Sequence, residues 1–72
     1  MREYTVIYER ANDGGWGAYV PDLPGLGVVG ATFEIVQRLI TEGITIHIDG
    51  LKEDGLPIPE PTTLSARIAV AA

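Results

Sequence analysis

Between Gly15 and Thr32 the chain reads Gly-Trp-Gly-Ala-Tyr-Val-Pro-Asp-Leu-Pro-Gly-Leu-Gly-Val-Val-Gly-Ala-Thr, a stretch that marks its own changes of direction. Pro21 has no N–H to offer a sheet ladder and Pro24-Gly25 presets a turn, so a strand that begins at Trp16 must end near Val20. Leu26 to Val29 is then a short return strand, in which Gly27 signals a bulge or a close backbone approach. Thr32 follows as an N-cap, with Glu34 placed where a carboxylate complements the first turn of a helix. Upstream, Tyr4, Val6 and Tyr8 alternate with Thr5, Ile7 and Glu9, which reads as a strand over residues 3–10. Asn12-Asp13-Gly14-Gly15 tolerates the positive φ of a hairpin turn, so a three-stranded antiparallel meander is expected.

The segment after Thr32 carries two conflicting signals. Ile44-Thr45-Ile46-His47-Ile48 is β-branched and alternating, and Gly43 weakens a helix. On a helical wheel, however, Phe33, Val36, Ile40, Ile44, His47, Ile48 and Leu51 share an arc of roughly 120°, the width of a core-facing stripe. The wheel predicts one helix over about 32–53, ~33 Å long by its rise per residue. A second stripe, Ile35, Leu39 and Ile46 with Gly43 and Gly50 beside them, lies outside the first, and one small sheet cannot cover both. These five residues are the candidate oligomer interface.

Asp54-Gly55 ends the helix. Pro57, Pro59 and Pro61 then favour an extended connector with few ladder bonds. Leu64, Ala66, Ile68 and Val70 alternate with Ser65, Arg67 and Ala69, which predicts a fourth strand, paired inside the sheet or across a dimer. The expected architecture is therefore a single α+β domain over residues 1–72, a small antiparallel sheet with one long helix on one face, in the order β-β-β-α-β.

A chain of 72 residues buries only roughly 60% of the surface its unfolded form exposes. It has no cysteine and one histidine, which removes disulfides and makes a zinc site improbable; association is the remaining ordinary source of stability. The net charge is −5, and Arg2, Arg10, Arg38, Lys52 and Arg67 are scattered, which opposes direct nucleic-acid binding. No apolar run spans a bilayer and Met-Arg-Glu-Tyr lacks a secretory apolar segment, so a cytoplasmic protein without membrane contact is expected.

Catalytic chemistry finds little support. His47 falls on the apolar helix face, and Ser65 has no second histidine or cysteine to activate it. Asp13, Asp22, Asp49 and Asp54 fall at turns or helix ends, where local turn chemistry accounts for them. Gly25, Gly27 and Gly30 lack the strand-loop context and lysine of a phosphate loop. No cofactor, metal site or enzymatic activity is expected. Trp16 and Tyr19 should point to opposite faces of their strand, which makes them candidate partner contacts.

Taken together, Tyr4 to Glu9, Gly15-Trp16-Gly17-Ala18-Tyr19, the turn Pro21-Asp22-Leu23-Pro24-Gly25, Gly30-Ala31-Thr32, and Asp54-Gly55 with Pro57-Ile58-Pro59 resemble the N-terminal domain of HicB antitoxins. The resemblance covers nearly the whole chain, and the Pro-Asp-Leu-Pro-Gly block before Gly-Ala-Thr is its most specific part. It implies a partial RNase H-like fold without catalytic carboxylates, assembly as a dimer or tetramer, and a small basic RNA-cleaving HicA-like toxin as partner. Family members usually add a C-terminal DNA-binding domain, and this sequence ends before one. Ala31 and Ile35 stand where the family commonly has acidic residues, and Ile35 adds an apolar residue to the second helix stripe. Two functions follow as expectations: an antitoxin-type module that neutralises such a toxin by direct contact, or a stand-alone oligomeric interaction protein that has lost toxin and DNA binding. A residual nuclease centred on Asp22 is the third and weakest.

Overall fold

Three strands of four residues each and one long helix carry the regular structure, which a computed structural model describes over all 72 residues. Strand β1 is Ile7–Arg10, β2 is Trp16–Tyr19, β3 is Gly27–Gly30, and helix α1 is Phe33–Glu53. The sheet is antiparallel in the order β1-β2-β3, with Ile7, Tyr8, Glu9 and Arg10 opposite Tyr19, Ala18, Gly17 and Trp16. Trp16, Gly17, Ala18 and Tyr19 in turn face Gly30, Val29, Val28 and Gly27. The meander and the helix are therefore as the sequence predicts.

Strand β1 is shorter than the alternation of residues 3–10 suggests. Pairing needs a partner, and β2 ends at Tyr19 because Pro21 turns the chain away, so residues 3–6 have no strand opposite them. Their alternation still sets which way they face: Tyr4, Val6 and Tyr8 pack against the core. The register through Gly27 is unbroken, and a Cβ there would sit 3.5 Å from the nearest atom, so the expected bulge or close approach is absent.

The hairpin between β1 and β2 closes through Ala11 N–H to Gly15 C=O at 2.8 Å and Gly14 N–H to Ala11 C=O at 3.1 Å. Gly14 has φ +90°, the left-handed position that a three-residue hairpin loop requires. The Asp13 carboxylate accepts the Gly15 N–H at 2.9 Å, the local turn bond expected of it.

Helix α1 owes its limits to both ends of the sequence pattern. The Thr32 hydroxyl accepts the Ile35 N–H at 3.1 Å, while Glu34 and Lys52 place opposite charges at the ends of the helix dipole. At the far end Gly55, at φ +67°, donates to Lys52 C=O, and Leu56 donates to Leu51 C=O at 2.9 Å. This satisfies carbonyls that would otherwise be orphaned. The β-branched run Ile44–Ile48 remains helical because Ile44 and Ile48 continue the stripe of Val36 and Ile40 onto the core. Burial of a whole face outweighs a per-residue propensity deficit of a few tenths of a kcal/mol.

The core is small. Ala18, Val20, Leu23, Val36 and Ile40 are its buried members, ringed by half-buried Tyr4, Val6, Tyr8, Trp16, Leu26, Val28, Ile44 and Ile48. Phe33 closes one end, with ring centroids 4.6 Å from Tyr8 and 5.3 Å, edge-on, from Trp16.

The predicted fourth strand is not formed within the chain. No ladder bond joins residues 56–72 to the sheet, and Leu64, Ile68 and Val70 lie exposed. The regular elements realised are β-β-β-α. Alternation and β-branching give residues 64–70 the character of a strand, but a strand exists only when it pairs.

Leu23 is fully buried and Ile46 is exposed. Leu23→Ala is therefore expected to lower unfolding free energy by about 2–5 kcal/mol, and Ile46→Ala to leave a monomer within about 0.5 kcal/mol of wild type. Denaturant unfolding measures both, and comparable losses would contradict this placement of the core.

Candidate functional site

The turn between β2 and β3 is two successive β-turns. Leu23 N–H donates to Val20 C=O at 3.0 Å, and Leu26 N–H donates to Leu23 C=O at 3.2 Å. Pro21 and Pro24 occupy the second position of each, and Gly25, at φ +89°, takes the third position of the second turn. This geometry points Leu23 into the core, where its side chain is fully buried.

Asp22 does something that local turn chemistry does not account for. Its carboxylate grips the chain forty residues on: Oδ2 accepts the backbone N–H groups of Thr62 and Thr63, both at 3.0 Å. Oδ1 accepts their hydroxyls at 3.1 and 2.8 Å. The Thr63 backbone N–H, then the Thr63 hydroxyl, and further the Thr62 hydroxyl and N–H, hold the Asp22 carboxyl below its ordinary value of 3.8 against a smaller opposing effect of desolvation. Asp22, which the sequence places at a turn, thus acts on a segment remote from it. Two hydroxyls strengthen the same attachment: Tyr4 donates to Pro59 C=O at 2.6 Å and Thr5 to Thr63 C=O at 2.8 Å. An Arg2–Glu60 ion pair at 3.1 Å is well exposed and contributes little. The partners Thr62, Thr63, Tyr4 and Thr5 were not singled out by the sequence; the usable signal is that Thr62 and Thr63 are the first consecutive N–H donors after the last proline.

Trp16 and Tyr19 point to opposite faces of β2. Trp16 is half-buried against Phe33, with the Arg10 guanidinium 4.9 Å from its ring centroid. It also lines an open groove at the hairpin end, of about 650 Å³, with Glu9, Arg10, Asp13 and Val29. Tyr19 lies on the uncovered face, 43% exposed, beside Ile7 of β1. Val29, 80% exposed, extends that face on β3.

The five candidate interface residues of α1 do not form one free surface. Ile46 is 71% exposed and Leu39 half-buried. Ile35 lies against Gly30, where an added Cβ would stand 3.0 Å from its Cγ2, and Gly43 backs tightly onto Leu26, whose Cδ1 would be 3.1 Å from an added Cβ. Gly50 is open, with no neighbour within 4 Å of where a Cβ would stand. Glu42, Asp49 and Glu53 are exposed along the solvent side of this strip. No three His, Asp or Glu side chains gather at one point, and no helix is long and apolar enough to cross a membrane.

A family model described as HicB_like antitoxin of bacterial toxin-antitoxin system matches residues 4–71, which takes in the turn, the helix and the tail that Asp22 holds. The chain belongs to the HicB-like antitoxin family. Its function is accordingly of the antitoxin type, and a toxin is the kind of partner that the family implies. Among similar proteins, a UPF0150 protein of Synechocystis sp., ssr1765, is 40% identical over 57 residues, covering 79% of this chain and 72% of the relative. An uncharacterized 14.9 kDa protein from the rep-hol intergenic region of Haemophilus phage HP1 is 32% identical over 65 residues. That alignment takes in 90% of this chain but 48% of the phage protein. In the HicB-like chain the Pro-Asp-Leu-Pro-Gly turn has a structural duty at all five positions: Pro21, Pro24 and Gly25 shape the two turns, Leu23 fills the core and Asp22 holds the tail.

Because the folded Asp22 carboxyl titrates below its unfolded value, the stability it contributes is complete above about 3.8 and is lost as pH falls through the folded value. Side-chain NMR titration should find an Asp22 midpoint below 3.8, with the Thr62 and Thr63 amide resonances moving together with it. In Asp22→Asn this coupled step should vanish and the tail should be cleaved faster by protease at neutral pH. A midpoint at or above 3.8 would contradict the clamp.

Proposed function

We propose that this chain neutralises a small, basic, HicA-like RNA-cleaving toxin by direct protein–protein contact in the cytoplasm, without catalytic activity of its own, and works as a homodimer or tetramer. The observation that carries the proposal is the pairing of the family match over residues 4–71 with a net charge of −5. On α1 the exposed carboxylates Glu42, Asp49 and Glu53 run beside Leu39 and Ile46, an apolar strip with an acidic rim. The carboxylates attract a basic partner at long range, while the apolar strip they border is the seam between copies of the chain.

The proposal is tested by co-expressing the chain with a short basic protein encoded beside it. Co-purification with loss of the toxin's RNase activity is expected. Association should slow as salt rises, and Glu42→Lys with Asp49→Lys should slow it further while flattening the salt dependence. A toxin that neither co-purifies nor loses activity would overturn the proposal.

Self-association through the strip has its own test. Leu39→Glu places a charge at the centre of the strip and should convert the oligomer to a smaller species in light scattering. An unchanged mass would remove Leu39 from the interface.

A further inference from the structure

Beyond Thr63 the tail makes no use of its own apolar residues. Leu64, Ile68 and Val70 are 93%, 85% and 79% exposed, although with Ala66 they form one face of an alternating, strand-like segment. The bonds that anchor the tail end at Thr63, whose carbonyl is held by Thr5. Seven residues from Leu64 to Val70 thus lie exposed outside any helix or sheet ladder.

The same molecule has an open place for a strand. β1 is an outer strand, so the side of Ile7–Arg10 away from β2 is a row of unpaired backbone donors and acceptors. Helix α1 lies over β2 and β3, which leaves the covered face of the sheet incomplete on the β1 side. An open groove of about 300 Å³ lies beyond the start of β1, between Tyr4, Ile58 of the chain's own tail and the helix residues Ile44 and Ile48.

We infer that the Leu64–Val70 tail adds as a fourth strand to the β1 edge of a second copy of this chain, reciprocally about a two-fold axis. Side-chain parity supports it. Glu9 lies on the uncovered face and Tyr8 on the covered face, beside Tyr4 and Val6. Placing Arg67 on the Glu9 side puts Leu64, Ala66, Ile68 and Val70 on the Tyr8 side, and a slip of one residue would reverse charge and apolar matches together. The β3 edge, Gly27-Val28-Val29-Gly30, has no acidic residue to receive Arg67. Pairing of two tails about their midpoint would set Arg67 against Arg67, a like-charge pair. The chain's own β1 edge is not taken by its own tail. This exchange is independent of the toxin-binding proposal and concerns only copies of this chain.

The chain has no cysteine, so cross-linking can report the exchange directly. Two pools of full-length protein, Glu9→Cys and Arg67→Cys, carry different tags, are unfolded and refolded together, and are mildly oxidised. Both positions are exposed, and circular dichroism checks that each variant folds. The expected product is a disulfide-linked pair carrying both tags, with little linkage within either pool alone. A predominant link between two Arg67→Cys chains, or no link at all, would overturn the exchange. In the double variant on one chain, closure as a monomer would overturn it as well. In light scattering, Arg67→Glu in the Leu39→Glu background should be monomeric and Glu9→Arg added to it should restore a dimer; a dimer that persists with both Arg67→Glu and Leu39→Glu would also contradict the proposal.

Discussion

The Asp22 carboxylate, accepting two N–H groups and two hydroxyls from Thr62 and Thr63, is the contact that decides where the last quarter of this chain goes. Prolines at 57, 59 and 61 remove every other backbone donor from the segment that follows the helix, so a ladder cannot hold it. The segment is held instead by what the prolines leave: carbonyls, met by the hydroxyls of Tyr4 and Thr5, and the first two N–H groups past the last proline, met by Asp22. Because Leu23, next to Asp22, is locked in the core, the grip on the tail is rigidly tied to the centre of the domain.

The rest of the architecture reflects how little there is to bury. One face of a three-stranded sheet and one side of a helix enclose five side chains. Marginal burial of this kind leaves apolar surface over: Ile46 on the helix, Tyr19 and Val29 on the bare face of the sheet, and Leu64, Ile68 and Val70 on the tail. An acidic exterior keeps such a molecule dispersed while it favours basic partners. The shape agrees with a small body and a projecting end, 48 Å along its longest axis against 27 and 19 Å across.

Much of the fold was legible because it is written in local chemistry. Thr32 and Gly55 bound the helix by capping, and the two proline-led turns bound β2 and β3. The choice of helix over strand at Ile44–Ile48 needed the longer window in which Val36 and Ile40 join the stripe. What remained hidden depends on partners remote in sequence. Residues 3–6 have the pattern of a strand, yet the length of β1 is set by where Pro21 ends β2. The tail has strand character, yet pairing depends on a neighbour that the chain itself does not supply. Asp22 looked like a turn residue because nothing in its vicinity reveals bonds to Thr62 and Thr63. The candidate helix strip was legible as a second apolar arc, but not the way Gly30 and Leu26 would turn Ile35 and Gly43 toward the chain's own sheet side.

One carboxylate fixes the tail to the turn. Amide hydrogen exchange resolved by residue at neutral pH tests it most directly. The Thr62 and Thr63 amides should be protected in the wild-type chain and unprotected in Asp22→Ala, while the amides of Val36 and Ile40 keep their protection in both. Thr62 and Thr63 amides that exchange at the rate of a free peptide in the wild-type chain, or that keep their protection without Asp22, would contradict it.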